Sequence, residues 1–365
     1  MRRRTVVRAA VRRGLRRVLG GERARVGYDL LSASRELAWN SFRRRLYPSF
    51  WRRTLHERRS GARRYAIHGE FGDALLALPF LHQERRRHPS LRLGVVIKGE
   101  ASGVASRSAA DPLSEAALRV MRDGRGRSVS FLREFWSRVP FLDEVTEGDV
   151  RDPSLRYWQP QPAFTLGRAA VGPSDYAPFL DELFTDEDRC LAEAAWGRSG
   201  RPLRVAVHLR RSAERIAELV RALDRSDLAS QTVVAVLGSR RHEPVPDVRC
   251  RRIELLDLTD NYEKGIGIMP LLQVIRSADL FAGGRGGFEL FALISGTPAL
   301  TVFDEDGWWE QRRLWPQRLW DENAVGGFVL ARDFDAAAVL SRLVAPWLRE
   351  QLESRRTLAA VGGAR

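Results

Sequence analysis

Carboxylates next to glycines form the first segment that could do chemistry. The chain reads Gly69-Glu70-Phe71-Gly72-Asp73 just before an apolar, helix-like stretch. Glycine lets the backbone approach a ligand closely, and a carboxylate in the first turn of a helix is stabilised as the anion. Asp73, with Glu70 as the second candidate, could therefore be a general base that is ionised at neutral pH. The simpler alternative is that Asp73 only caps the helix.

A histidine and two arginines end an apolar, strand-like stretch and form the second segment, His208-Leu209-Arg210-Arg211. A guanidinium at a strand end can hold pyrophosphate oxygens in a bidentate manner. Arg210 or Arg211 would then offset the charge of a departing nucleoside diphosphate. The alternative is that both are ordinary surface arginines of an arginine-rich chain. The pattern fits His208 equally well as a buried strand residue and as a ligand contact.

Four glycines around one arginine form the third segment. It reads Gly283-Gly284-Arg285-Gly286-Gly287, and an apolar helix pattern follows. Backbone amides in such a loop can form a nest for phosphate, with the guanidinium in reach, and Glu289 could take a pair of ribose hydroxyls. The spacing differs from the nicotinamide-cofactor fingerprint. The alternative is a flexible turn.

Strand-like and helix-like patterns alternate around these segments. Strands are predicted at 63–69, 91–97, 203–209, 231–237, 253–256, 279–282 and 299–303, and helices at 178–196, 212–224 and 270–277 and after residues 73 and 283. This alternation is typical of α/β domains with parallel sheets, which bind ligands at the carboxyl ends of their strands. Two consecutive doubly wound domains, with the site in the cleft between them, are the simplest architecture.

Length and composition agree with a globular, two-domain protein. The chain has 365 residues, of which 44% are hydrophobic, so it can bury real cores. The predicted division is an extension at 1–60, an acceptor-side domain at 61–198, a nucleotide-binding domain at 199–345, and a helix and tail at 346–365. Two cysteines exclude a disulfide framework and a four-thiolate zinc site. We expect a cytoplasmic protein, since neither a membrane-spanning run nor a signal peptide is recognisable.

The positive charge is concentrated in the extension. Residues 1–64 hold twenty arginines and four acids, in a chain whose formal net charge is +15. Apolar residues at helical spacing, flanked by arginine and joined by Trp39 and Trp51, favour an interfacial helix on an anionic membrane. A solvated arm, or a helix packed on the body or on a second protomer, is the alternative. Nucleic acid is not an expected partner, because no reading motif is recognisable.

The first segment also resembles a known family. Residues 69–79 look like the opening of the heptosyltransferase-type glycosyltransferases (glycosyltransferase family 9), a strand followed by Gly-x-x-Gly-Asp-x-Leu-x-x-Leu-Pro. Similar pieces follow in the family's order at 139–145, 233–238 and 277–300. The resemblance implies a GT-B fold of two facing Rossmann-like domains, and an inverting reaction with neither metal nor cofactor. It also implies that Asp73 is the general base.

Several donor contacts follow from resemblance as well, with one departure. The resemblance places Gly238 at the end of a donor-side strand, and Gly69 and Gly72 in the acceptor-side loop. Residues 208–211 are similar to a segment of the fucosyltransferases that use GDP-fucose, where an arginine contacts the diphosphate. The heptosyltransferase-type family usually carries Asp-Ser/Thr-Gly and then His in its second-domain loop. This chain has Arg285-Gly286-Gly287 and Leu290 there, so the donor contacts are changed.

The sequence therefore predicts a metal-independent, inverting glycosyltransferase. It would move a sugar from a nucleoside-diphosphate-sugar to a glycan or a lipid-linked cell-envelope acceptor. The basic extension would hold it at the inner face of the plasma membrane. Two alternatives stay open: another nucleotide-sugar enzyme such as an epimerase, and a catalytically inactive GT-B relative that serves as a membrane scaffold.

Overall fold

The fold is known from a computed structural model. It describes residues 57, 59–67, 71–98, 120–122, 128–148, 155–158, 172–197, 199–209, 212–238, 248–259, 267–303, 318–323, 325 and 327–362. Most of the basic extension at 1–60 lies outside the described residues. So do Gly69, Glu70, Arg210 and Arg211 of the predicted site.

The first half of the chain builds a four-stranded parallel sheet. Its strands are β1 (Ala62–Ile67), β2 (Arg92–Lys98), β5 (Glu144–Gly148) and β6 (Arg156–Trp158), in the order β5-β2-β1-β6. A small antiparallel hairpin is formed by β3 (Val120–Arg122) and β4 (Ser128–Ser130). The helices of this half are α1 (Phe71–Arg87), α2 (Phe131–Ser137), α3 (Ala177–Leu180) and α4 (Asp186–Gly197).

Helix α1 connects the two central strands of this sheet. Leu75, Leu78 and Leu81 are fully buried and recur at helical spacing, so this face packs into the core. Asp73 lies in the first turn and three arginines lie in the last turn, which complements the helix dipole at both ends.

The second half builds a six-stranded parallel sheet. Its strands are β7 (Leu203–His208), β8 (Thr232–Leu237), β9 (Glu254–Asp257), β10 (Leu280–Gly284), β11 (Ala299–Phe303) and β12 (Gly327–Leu330). Its helices are α5 (Ala213–Asp224), α6 (Ile268–Arg276), α7 (Gly287–Ile294), α8 (Arg318–Asp321), α9 (Ala336–Val339) and α10 (Ala345–Gly362).

The order of these strands is that of a doubly wound sheet. They lie as β12-β11-β10-β7-β8-β9, so that, counted from β7, the order is 3-2-1-4-5-6. All five pairings are parallel. The direction of winding reverses between β7 and β10, which are therefore the two strands that flank the switch point. The prediction of parallel α/β architecture is confirmed in both halves.

Buried side chains connect the two halves. One continuous cluster of buried residues includes Tyr65 and Leu78 from the first half and Phe281 and Phe291 from the second. The rings of Phe184 and Phe291 meet edge to face with their centroids 6.1 Å apart. The two sheets thus share part of their hydrophobic core.

One predicted element is wrong. Residues 178–196 do not form a single helix, because α3 ends in a 3-10 turn at Asp181–Leu183 and α4 begins anew. Thr185 and Asp188 cause the restart: the Thr185 N–H donates to the Asp188 carboxylate at 2.8 Å, and the Asp188 N–H donates to the Thr185 hydroxyl at 3.2 Å. This reciprocal cap is a helix start signal.

Two buried carboxylates tie the first described segment and the C-terminal helix α10 to the sheets. Glu57 is 8% exposed and accepts two hydrogen bonds from Arg156 of β6, at 2.5 and 2.8 Å. At the other end, α10 reaches Asp279, just before β10. Arg355 donates to the Asp279 carboxylate at 2.5 Å, and the Trp347 indole donates to the Asp279 carbonyl at 2.8 Å. Among the described helices, none is both long and apolar enough to cross a membrane.

Candidate functional site

The candidate site lies at the switch point of the six-stranded sheet. Open parallel sheets bind ligands outside the carboxyl ends of the strands where the winding reverses. Here β7 ends at His208 and β10 ends at Gly284, and His208 is paired with Gly283 across the two strands. The second and third sequence segments therefore leave the sheet at the same place. Arg210 and Arg211 follow His208 closely in the chain but lie outside the described residues.

The loop at 283–287 is packed at its base and open at its tip. A Cβ on Gly283 would lie 2.9 Å from the Phe281 ring and 3.3 Å from the His208 Cβ, so this position excludes any side chain. A Cβ on Gly286 would meet nothing within 4 Å. Helix α7 begins with the next residue, and the first N–H groups of a helix have no partner within it. Gly286, the residue just before the first turn of α7, thus lies beside open space, which an anion site at a helix start needs.

Glu289 lies on the inner side of this loop. Its side chain is completely buried, and its carboxylate accepts the Gly286 N–H at 3.3 Å. Burial raises the pKa of the carboxyl to about 8, although Thr301, the Gly286 amide, Arg285 and Trp320 all act to lower it. A contact of Glu289 with a ribose stays a prediction, and the partners found for it are groups of the protein.

His208 is a buried residue at the end of its strand. It is 6% exposed, and its ring meets that of Phe288 edge to face, with centroids 5.0 Å apart. Gly238 directly follows the neighbouring strand β8, with φ at +135°, a conformation that favours glycine. A Cβ on Gly238 would lie 3.8 Å from His208 Cδ2. His208 and Gly238 therefore form the packed floor of the site, and their contact with a donor stays a prediction.

The Asp73 segment meets the glycine loop through Phe71. Asp73 and Gly72 are half-buried in the first turn of α1, whose first residue is Phe71. The Phe71 ring lies edge to face against Phe288, with centroids 6.4 Å apart. A Cβ on Gly287 would lie only 2.5 Å from Phe71 Cδ1. The first turns of α1 and α7 are thus in contact, and the first and third sequence segments come together.

A second contact between the halves was missed by sequence reasoning. Glu134 of α2 accepts the Ile268 N–H at 3.3 Å, at the first turn of α6. Gly267 has φ at +78°, and a Cβ there would lie 2.7 Å from the Glu134 carboxylate. Burial raises the pKa of the Glu134 carboxyl. The only signal in the sequence is a glycine before a helix, which does not reveal a partner 133 residues away.

The described residues contain no cluster that could hold a metal ion. Within that part of the chain, no three histidine, cysteine, aspartate or glutamate side chains come together as ligands. Cys190 is exposed and Cys250 is half-buried, and both are free thiols. Burial raises the pKa of the Cys250 thiol to about 11, which keeps it protonated at neutral pH.

Among known proteins, the chain resembles only solved structures. No family model and no curated protein matches the chain. The solved structures that it resembles include a glycosyl transferase of family 9 from Veillonella parvula, at 12% identity and a TM-score of 0.46, over 79% of this chain and 97% of that one. They also include the E. coli ADP-heptose LPS heptosyltransferase II, at 10% identity and a TM-score of 0.49, over 79% and 99%.

A third neighbour is the E. coli heptosyltransferase WaaC, solved with ADP. It is 14% identical, with a TM-score of 0.36, and the match covers 77% of this chain and 98% of that one. The structural neighbours described here are therefore glycosyltransferases of family 9 and heptosyltransferases, matched over most of their length. At such identities and TM-scores, the similarity assigns no activity to this chain.

Proposed function

We propose that the protein is a metal-independent, inverting glycosyltransferase of GT-B architecture. It transfers a sugar from a nucleoside-diphosphate-sugar to a glycan or a lipid-linked cell-envelope acceptor. One observation carries the proposal: Phe71 packs against Gly287 and Phe288, so that the turn bearing Asp73 lies beside the glycine loop at the switch point. A base and an anion site on opposite halves are what sugar transfer between two bound substrates needs.

The donor diphosphate binds at the tip of the glycine loop. Open space beside Gly286 admits the phosphates to the first amides of α7, where the helix dipole favours negative charge. Arg285 extends the positive potential of this loop. Arg210 and Arg211, which follow the end of β7, supply guanidinium groups from the adjacent strand. This set of amides and arginines neutralises the leaving group without a divalent cation.

The reaction is a single displacement at the anomeric carbon. Asp73 takes the proton from the acceptor hydroxyl as its oxygen forms a bond to that carbon. The bond from the carbon to the donor's phosphate oxygen breaks, and its electron pair leaves with the nucleoside diphosphate. Attack from the face opposite the leaving group inverts the configuration. Glu70 is the second candidate for the base.

The basic extension places the enzyme near its acceptor. Residues 1–60 bind an anionic membrane through arginines on either side of an apolar stripe. Since nucleoside-diphosphate-sugars are cytoplasmic metabolites, the protein acts on the cytoplasmic face of that membrane. A lipid-linked acceptor diffusing in the same surface then reaches the site.

Binding of a nucleoside diphosphate is the first test of this function. GDP, UDP, ADP and dTDP are compared for their effect on the melting temperature of the full-length protein. We expect one of them to raise it, since a ligand that binds the folded state alone stabilises that state. The matching nucleotide-sugar is then supplied with and without acceptors. Release of nucleoside diphosphate only with an acceptor supports transfer, whereas isomerisation of the sugar without an acceptor indicates an epimerase. No shift with any of the four nucleotides contradicts the proposal.

A further inference from the structure

A buried carboxyl holds the glycine loop from the inside. Glu289 is completely buried, whereas Arg285, Gly286 and Gly287 of the same loop are half-exposed. Its carboxylate accepts the N–H of Gly286, the residue at the open tip. A carboxyl group is expensive to bury without partners, so a fully buried glutamate beside an open anion site calls for a function.

The partners of Glu289 join three elements behind the loop. Thr301 of β11 and Trp320 of α8 lie beside its carboxyl group, together with the Gly286 amide at the start of α7. Thr301 is completely buried and Trp320 is 4% exposed, so this contact set is shielded from water. The Glu289 carboxyl group therefore lies between the loop, strand β11 and α8, and it is hydrogen-bonded to the loop through the Gly286 N–H.

We propose that Glu289 is the positioning residue of the diphosphate loop. By engaging the Gly286 amide from within the core, it orients the Gly286 peptide and leaves the next amides, at the beginning of α7, free to face the ligand. This inference rests on the proposed function for the identity of the ligand. The support of the loop by Glu289 does not depend on it.

The protonation of Glu289 then controls the electrostatics of the loop. Among the described residues, Arg285 is a charged group that acts on this carboxyl, while Thr301 and Trp320 contribute neutral dipoles. As a neutral acid, Glu289 adds no charge behind the phosphates; as a carboxylate, it places a negative charge directly behind them. Since burial raises the pKa of this group to about 8, affinity for the diphosphate falls as the pH rises from 7 to 9.

The raised pKa of Glu289 also makes the stability of the folded protein depend on pH. A glutamate whose pKa is higher in the folded than in the unfolded state makes folding most favourable at low pH. That contribution is lost as the pH rises from the ordinary range of a glutamate, near 4.5, through about 8. Glutamine is neutral at every pH, so Glu289→Gln removes the contribution of this residue to the pH dependence of stability.

Three variants of the full-length protein test the proposal, with the bound nucleoside diphosphate measured by calorimetry at pH 7 and 9. The wild type is expected to bind more weakly at pH 9. Glu289→Gln keeps an acceptor for the Gly286 N–H and should bind with an affinity that no longer changes between the two pH values. Glu289→Ala loses the support and should bind about tenfold more weakly at both. Asp335→Asn, which alters a helix-capping carboxylate at α9, is the matched control and should follow the wild type.

A second measurement needs no nucleotide. With glycine-selective ¹⁵N labelling, the Gly286 amide signal, assigned by its loss in Gly286→Ala, should titrate with a midpoint near pH 8 in the wild type and stay constant in Glu289→Gln. A wild-type signal that does not titrate overturns the pH dependence, and unchanged affinity in Glu289→Ala overturns the positioning role. If no nucleotide binds the wild type, the proposed function fails, whereas a Gly286 signal at the same position in the wild type and in Glu289→Ala would still overturn the support of the loop by Glu289.

Discussion

Phe71 and Gly287 touch each other across the two halves of the molecule. A Cβ on Gly287 would come within 2.5 Å of Phe71 Cδ1 and 3.2 Å of Phe71 Cβ, so only glycine allows this approach. Phe71 opens the helix that carries Asp73, and Gly287 opens the helix that follows the glycine loop. This single contact therefore sets how closely the proposed base approaches the proposed diphosphate site.

The contact predicts that Gly287→Ala destabilises the protein. The added methyl group would overlap the Phe71 ring, and overpacking of this kind costs about 1–3 kcal/mol. Urea denaturation gives the free energy of unfolding. Gly286→Ala is the matched control, because a Cβ there meets nothing within 4 Å and its backbone is extended, and it should change stability by less than about 0.5 kcal/mol.

A double-mutant cycle assigns that cost to Phe71. In a Phe71→Ala background the ring is gone and only the Cβ remains, so Gly287→Ala should destabilise the protein much less. The coupling free energy between the two positions should then be about 1 kcal/mol or more. If Gly287→Ala lowers the free energy of unfolding equally in both backgrounds, Phe71 and Gly287 are not in contact.

Asp73→Asn is predicted to abolish sugar transfer and to leave nucleotide binding intact. Asparagine is nearly isosteric, but it cannot accept the proton of the acceptor hydroxyl. Transfer is measured by product formation and binding by calorimetry. Asp186→Asn, in the first turn of α4, removes a comparable carboxylate elsewhere and should retain activity. Full activity of Asp73→Asn would remove this residue from the mechanism.

Replacing both Arg210 and Arg211 by alanine is predicted to weaken nucleoside-diphosphate binding at least about tenfold. Each lost charge-assisted hydrogen bond is worth about 1.5–3 kcal/mol, and about 1.4 kcal/mol corresponds to a factor of ten. Calorimetry gives the affinity. Arg215→Ala, which removes an exposed arginine paired with Glu218 on α5, is the control. An unchanged affinity of the double variant would contradict the assignment of these arginines to the diphosphate.

Deleting residues 1–56 is predicted to release the protein from anionic vesicles. Nearly all of the basic extension is lost, whereas Glu57 keeps its hydrogen bonds to Arg156. Deleting residues 1–60 removes Glu57 as well and should cost about 1–3 kcal/mol, since Arg156 then loses its carboxylate partner. Sedimentation with anionic and with neutral vesicles measures binding. If the shortened and full-length proteins sediment equally with anionic vesicles, the extension is not the membrane anchor.

The alternating pattern was sufficient to predict most of the second half. Strand β8 is completely buried and reads Thr-Val-Val-Ala-Val-Leu, and α5 carries apolar residues on one face, so local sequence and burial agree there. The short strands β3, β4, β5, β6 and β12 were missed. Each lies at the edge of its sheet and pairs with one neighbour, so its few residues carry little periodic signal.

The segments of the candidate site were predictable, and their mutual placement was not. Glycines and charged residues at strand ends identify the segments, because parallel sheets bind ligands there. The approach of Phe71 to Gly287, and of Glu134 to Ile268, depends on how two separate sheets pack, which no local pattern encodes. The inward position of Glu289 was likewise hidden, since its spacing fits a loop residue that faces either way.

Asp279 links the end of the chain to the glycine loop. It holds Arg355 and Trp347 of α10, and the next residue begins β10, whose last residue is Gly284. A chain that ends before Arg355 would take away the arginine partner of the buried Asp279 carboxylate, which would keep only its hydrogen bond from the Arg204 N–H. Shortening the C-terminus should therefore disturb the start of β10 and, through the backbone of this strand, the proposed donor site that follows Gly284.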